Sequence, residues 1–130
     1  MPFIDTNVVI YAFSDDARSD KAQALLAASP VVSAQVLNEF ANIGRKKLAM
    51  SWPEIREAMG SILILASAVV ALDEDLTIAA LDLADRYRFS FYDALIVAAA
   101  LRAGCDQLYS EDMQAGLIVE KQLTIVNPFL

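Results

Sequence analysis

Four acidic residues stand where a carboxylate needs a reason to be: Asp5, Glu39, Asp93 and Asp112. Asp5 lies in the polar triplet Asp5-Thr6-Asn7, between the apolar runs Phe3-Ile4 and Val8-Val9-Ile10. An acid at the end of a buried strand costs free energy unless something satisfies it. Glu39 falls three residues after Val36 and four before Ile43, on or beside the apolar stripe of a helix. Asp93 opens the run Ala94 to Leu101, which is apolar all round and so reads as a buried helix. Asp112 follows the short run Leu108-Tyr109. Singly, each has an ordinary explanation: Asp5 and Asp93 as helix-cap or first-turn acids, Glu39 as a boundary residue reaching water, Asp112 as part of a polar loop. Together they suggest chemistry. Two carboxylates about 4 Å apart repel by about 4 kcal/mol at an effective dielectric of 20. A converging set persists only with protons or cations, and hard divalent ions prefer oxygen donors. Carboxylates without Cys or His point to Mg²⁺ or Mn²⁺ rather than zinc. Such an ion activates water and neutralises phosphoryl charge, so phosphodiester hydrolysis suits this inventory.

Composition removes the competing chemistries. The 130 residues include no His, one Cys (Cys105) and four scattered Gly. Without His there is no Ser-His-Asp or Cys-His machinery. One Cys leaves no zinc site and no internal disulfide, as expected of a reducing, cytoplasmic compartment. The glycines supply neither GxGxxG nor a P-loop, so no nucleotide cofactor is expected. The start Met-Pro-Phe-Ile-Asp lacks the basic segment of a signal peptide, and the longest apolar stretch, Ile62 to Leu72, is too short to span a bilayer. Ten Lys and Arg against 17 Asp and Glu give a net charge of −7, which repels nucleic acid at long range. That objection lapses if the acids are concentrated where they hold cations.

The elements that must position the four acids alternate between strands and helices, within one domain spanning residues 1–130. Strands are expected at Phe3-Ile4, Val31-Val32, Val69 to Leu72, Leu108-Tyr109 and Leu123 to Val126. Helices are expected over Ser19 to Ala28 with Ser19 as N-cap, along the Val36-Phe40-Ile43 stripe, from the capping box Ser51-Trp52-Pro53-Glu54 toward Leu65, over Asp75 to Arg86, and over Asp93 to Ala103 closed by Gly104. This alternation implies an α/β fold, a short parallel sheet of about five strands sandwiched between helices, with ligands at the carboxyl ends of the strands. All four acids belong to that rim. A 14.2 kDa chain should fold to a surface of roughly 6,800 Å².

At this level of detail the chain resembles a known family. Asp5-Thr6-Asn7-Val8-Val9-Ile10-Tyr11-Ala12 resembles the opening motif of PIN-domain nucleases, and Ser33 to Phe40 their second acidic motif. Tyr92-Asp93-Ala94-Leu95 onward resembles the third, Leu108 to Met113 the fourth, and Asn127-Pro128-Phe129 the family's close. The likeness covers the whole chain and is strongest to the toxins of VapBC toxin–antitoxin modules. It implies a PIN-like fold and a toxin endoribonuclease using Mg²⁺ or Mn²⁺. Asp5, Glu39, Asp93 and Asp112 would be the catalytic and metal-site acids, supported by Thr6, Asn7 and Ser110. It also implies a homodimer and an antitoxin partner that covers the groove.

RNA needs cations, and two basic patches are available. Arg45-Lys46-Lys47 ends the Glu39 helix, where it also complements the helix dipole. Arg86 and Arg88, mixed with Tyr87 and Phe89, precede Asp93. Trp52 reads as a core or interface residue. Two other functions fit the same residues: a non-catalytic module binding RNA or protein, and a metal-dependent phosphatase with Asp5 as nucleophile. Against the phosphatase, such enzymes pair that Asp with a second acid two residues on, and position 7 is Asn.

Overall fold

A computed structural model describes residues 1–130. In chain order the elements are β1 (Pro2–Ile4), α1 (Thr6–Ala12), α2 (Ser19–Ala27), β2 (Val31–Ser33), α3 (Ala34–Lys47), α4 (Trp52–Leu65), β3 (Ala68–Val70), α5 (Glu74–Tyr87), α6 (Phe91–Arg102), β4 (Gln107–Tyr109), β5 (Ile118–Val119) and β6 (Leu123–Val126). The sheet has six strands in the order β3-β2-β1-β4-β6-β5, parallel throughout except for the β5–β6 hairpin. Consecutive residues Phe3-Ile4 and Val31-Val32 are all fully buried. Neighbouring strand residues point to opposite faces, so both faces of the sheet are covered. Helices α1 to α4 pack among themselves, and α5 pairs with α6. The surface area is 6908 Å², close to the value expected for the mass. No helix is long and apolar enough to cross a membrane.

The strand order sets the site. From β1 the chain runs outward through β2 and β3, then returns to place β4 on the other side of β1. The β1/β4 boundary is therefore the topological switch point, where the loops leaving two adjacent strands diverge and open a crevice. Ile4 pairs with Tyr109 in register, so Asp5 and Ser110 are the first residues beyond the sheet on either side of it.

Several sequence expectations need correction. Ser19 is the first residue of α2 rather than its cap; Arg18 holds the cap position and makes no side-chain cap bond. Helix α5 starts at Glu74, one residue before the expected Asp75, and Asp73 caps it, accepting from Leu76 N. Ser90, not Asp93, caps α6. Trp52 is 61% exposed and so is no core residue; the Arg45 guanidinium lies 4.9 Å from its ring centroid. The sheet gains a sixth strand, β5. The capping box at Ser51–Glu54 forms as read, with both reciprocal bonds present. Val36 and Phe40 are buried, while Ile43 is half-buried and turns to the crevice.

Candidate active site

Asp5 begins the site because two conditions meet on it. It ends β1, its own N–H donating to the Tyr109 carbonyl (2.9 Å), and it caps α1, its Oδ1 accepting from Thr6 N (2.7 Å). Its Oδ2 accepts from the Ser110 hydroxyl across the switch point (2.8 Å). The residue is only 6% exposed. Burial is the main reason its carboxyl is pushed up to about 6, with the charges of Asp93 and Glu39 adding to the rise. The bonds from Ser110 and Thr6 pull the other way without overcoming it.

Helices α3 and α6 and the loop after β4 bring the other acids to the same place. Asp5, Glu39, Asp93 and Asp112 all line one cavity of about 370 Å³, with Thr6, Asn7, Ile10, Tyr11, Ile43 and Lys47. The α1 wall is Asn7-Ile10-Tyr11, the i, i+3, i+4 positions of one helical face, and the α3 wall is Glu39-Ile43-Lys47, spaced by four. Glu39 is held by Thr6 Oγ1 (2.6 Å) and Gln35 Nε2 (3.4 Å). Asp93 is the third residue of α6. Since Ser90 already caps that helix, the Asp93 carboxylate is not needed as a cap, and it lines the cavity near the positive end of the helix dipole. Burial, and then the charges of Asp112 and Glu39, push its carboxyl up. Asp112 Oδ2 accepts from Asn7 Nδ2 (3.0 Å).

Ser110 ties these parts together. Its fully buried hydroxyl donates to Asp5 and accepts from Asp112 N (3.3 Å) and Met113 N (3.4 Å). Ser110→Ala is expected to destabilise the protein by about 2 kcal/mol, because it leaves one carboxylate oxygen and two buried or half-buried N–H groups unpaired. Urea unfolding checks this; a change under about 0.5 kcal/mol, typical of an ordinary surface site, would show that the hydroxyl has no such role.

Sequence reasoning missed three contributors. Gln35, 5% exposed, donates from Nε2 to Glu39 and to the Tyr92 carbonyl (3.0 Å), joining α3 to the turn that carries Asp93. Its Oε1 is buried without a partner, a cost of about 1–3 kcal/mol that accompanies this bridge. The signal was the Gln35–Glu39 spacing of four inside the second motif. Tyr11 and Arg18 form the other missed unit. Arg18 is forked onto both Glu111 oxygens (2.9 and 2.8 Å) and both Asp16 oxygens (2.7 Å each), and its guanidinium lies 4.1 Å from the Tyr11 ring centroid. Tyr11 Oη donates to Glu111 (2.6 Å), whose carboxyl is lowered by that bond and by Arg18. Glu111 is thus neutralised beside the cavity, and it is Asp112 that enters.

Of the five basic residues singled out from the sequence, only Lys47 lines this cavity. Arg45 donates to the Met50 carbonyl and stacks on Trp52. Arg86 is consumed by Asp82 and Glu120 on the α5/α6 side. Lys46 and Arg88 are exposed elsewhere, Arg88 in a left-handed conformation after α5.

The donor set is all hard oxygen, which fits Mg²⁺ or Mn²⁺ and no softer ion. No three of the acids are gathered into a ready-made metal shell.

Comparisons with known proteins agree with this fold. The model of the PIN domain family matches residues 3–116. Among solved structures, the VapC20 toxin of Mycobacterium tuberculosis, described as cleaving the sarcin–ricin loop, superposes with a TM-score of 0.64 at 25% identity, covering 86% of this chain and 90% of that one. A toxin–antitoxin complex from Klebsiella pneumoniae gives 0.72 at 21% identity over 98% of both chains. VapBC2 from Rickettsia felis, bound to a DNA fragment from its promoter, gives 0.64 at 16% identity over 97% of this chain and 98% of that one. No curated protein matches the sequence. The family match begins in β1, two residues before Asp5, and runs past Asp112, so it takes in every acid of the cavity: the chain belongs to the PIN domain family.

Proposed function

We propose that the protein is the toxin of a type II toxin–antitoxin module, a Mg²⁺- or Mn²⁺-dependent endoribonuclease acting in the cytoplasm, whose partners are RNA, a cognate antitoxin and a second copy of itself. The observation that carries the reading is the meeting of Asp5, Glu39, Asp93 and Asp112 in one cavity at the switch point of a PIN fold. Its resemblance to the VapC20 toxin and to two toxin–antitoxin assemblies supports both the activity and the antitoxin.

The four acids are assigned to hold the ion, which when bound would activate water and neutralise charge on the phosphate. The protein's own part is positioning. Thr6 and Gln35 fix the Glu39 carboxylate, Ser110 fixes Asp5, and Asn7 fixes Asp112. These three carboxylates are thereby aimed before substrate arrives, which is how rigid sites lower a barrier. Ile10 and Ile43 form apolar walls that limit water. A phosphatase with Asp5 as nucleophile fits poorly, since both oxygens of that buried carboxylate are engaged.

Purified protein with Mg²⁺ or Mn²⁺ should cleave RNA within the chain and leave 5′-phosphate ends, because water rather than a 2′-hydroxyl is the attacking group. EDTA should abolish the reaction. Sequencing the cleaved ends checks both points. Cleavage that survives EDTA, or ends carrying 2′,3′-cyclic phosphate, would refute the mechanism, and RNA bound but left intact would favour a binding module.

A further inference from the structure

We infer that Lys47 is an RNA-positioning residue: its ammonium seats a backbone phosphate of the RNA strand next to the acidic centre. The inference rests on the nuclease reading above.

Helix α3 carries Glu39, Ile43 and Lys47 on one stripe, and all three line the cavity. Eight residues of helix place Lys47 about 12 Å along the axis from Glu39, with a whole turn bearing Ile43 between them. Side chains on a helix lean toward its N-terminus, so Lys47 leans back over Ile43 toward the acids. Lys47 is exposed, and no acid lies within ion-pair distance of it. Four of the six arginines differ: Arg18, Arg86 and Arg102 are each locked onto carboxylates, and Arg45 onto a carbonyl and Trp52, while Arg56 and Arg88 lie outside the cavity.

This placement answers an electrostatic problem. A polyanion must reach a cavity walled by four carboxylates on a protein of net charge −7. Cations held by the acids would attract only the phosphate beside them. The neighbouring phosphates still face acidic walls, and Lys47 is the one cationic side chain lining that cavity. A flexible ammonium at the mouth supplies a sequence-independent phosphate contact. Because it repels a metal cation while attracting RNA, its removal should weaken RNA binding without weakening metal binding.

The experiment uses the full chain carrying Asp93→Asn, so that RNA is bound without cleavage, with two unrelated fluorescein-labelled single-stranded oligoribonucleotides. Adding Lys47→Ala should weaken both RNAs alike, roughly three- to tenfold near 0.1 M salt, and lower the log–log salt slope by about 0.7, the share of one phosphate on a single strand. Lys47→Arg should restore both. In the protein with all four acids, Lys47→Ala should leave Mn²⁺ affinity, read by electron paramagnetic resonance, unchanged or tighter. If Lys47 serves only the α3 dipole, Lys47→Ala shifts the melting temperature while RNA affinity and salt slope stay fixed, which overturns the proposal. A parallel loss of RNA and Mn²⁺ affinity also overturns it. Wild-type cleavage of total cellular RNA with Mn²⁺ is measured alongside. Active wild type with unchanged Lys47→Ala binding removes the Lys47 assignment alone. Inert wild type with Lys47-dependent binding removes the nuclease reading alone.

Discussion

Asp93→Asn is expected to lower Mn²⁺-supported RNA cleavage by at least about a hundredfold while the protein stays folded. Changes to groups that merely orient metal ligands cost about 10- to 100-fold, so removing a ligand charge should cost no less. The substitution is clean for a local reason. Ser90, not Asp93, supplies the side-chain cap of α6, and the Asp93 N–H that donates to Ser90 is backbone and survives the change. The apolar body of α6, Ala94 to Ala100, is buried and untouched. Asp93 also sits among like charges that, with burial, push its carboxyl up. Removing that charge relieves repulsion from Asp112 and Glu39, so the variant should melt no lower than the wild type. Cleavage of total RNA and a thermal melt, run on the same preparation, check both halves. Near-wild-type cleavage would remove Asp93 from the machinery. Lost cleavage together with a collapsed melt would make it structural.

That contrast between a cap and a poised acid shows what was legible in the sequence. The alternation of short apolar runs with helical stripes was enough for the α/β order, because the runs Phe3-Ile4 in β1 and Val31-Val32 in β2 are buried on both faces and so are apolar without a break. Three of the acids were found by position, at strand exits or a helix start, and Glu39 by its place on the apolar stripe of α3. Their grouping followed from parallel topology, which sends every strand exit to one edge. Boundaries were less legible. At α5 and α6 several Ser and Asp residues compete to be the cap, and only backbone conformation decides between Asp73 and Asp75 or between Ser90 and Asp93. Strand β5 was invisible because it has two residues, and because its hairpin turns through Glu120 and Lys121, both at positive φ (53° and 55°). Asn-Gly would announce such a turn; Glu-Lys does not. The Arg18 clamp was illegible for another reason: it joins Asp16 to Glu111, 95 residues apart, through contacts that no local pattern encodes.

Asp5→Asn should make the metal-free protein more stable at neutral pH while removing its activity. The folded Asp5 carboxyl titrates at about 6, against about 4 in the unfolded chain. Its folded value is the higher one, so the protonated acid favours the fold. That contribution is full below about pH 4, declines as pH rises from about 4 to about 6, and is gone above. By linkage the loss is about 3 kcal/mol. Other acids, such as Asp16, Asp73 and Glu120, are lowered by arginine partners and change stability in the opposite sense at lower pH. The difference between wild type and Asp5→Asn cancels them. The variant carries its own cost, because an amide cannot accept from both Thr6 N and the Ser110 hydroxyl, and losing one such bond costs about 1 kcal/mol. In EDTA, urea unfolding should therefore find Asp5→Asn about 1 kcal/mol less stable at pH 4 and about 2 kcal/mol more stable at pH 7. A difference independent of pH would show that burial does not hold the proton on Asp5. Adding Mn²⁺ at pH 7 should then stabilise the wild type with the logarithm of one plus the ratio of ion concentration to dissociation constant, and the variant much less. The charge that weakens the metal-free fold is the charge proposed to recruit the ion, so on that reading stability and activity trade against each other at this one residue.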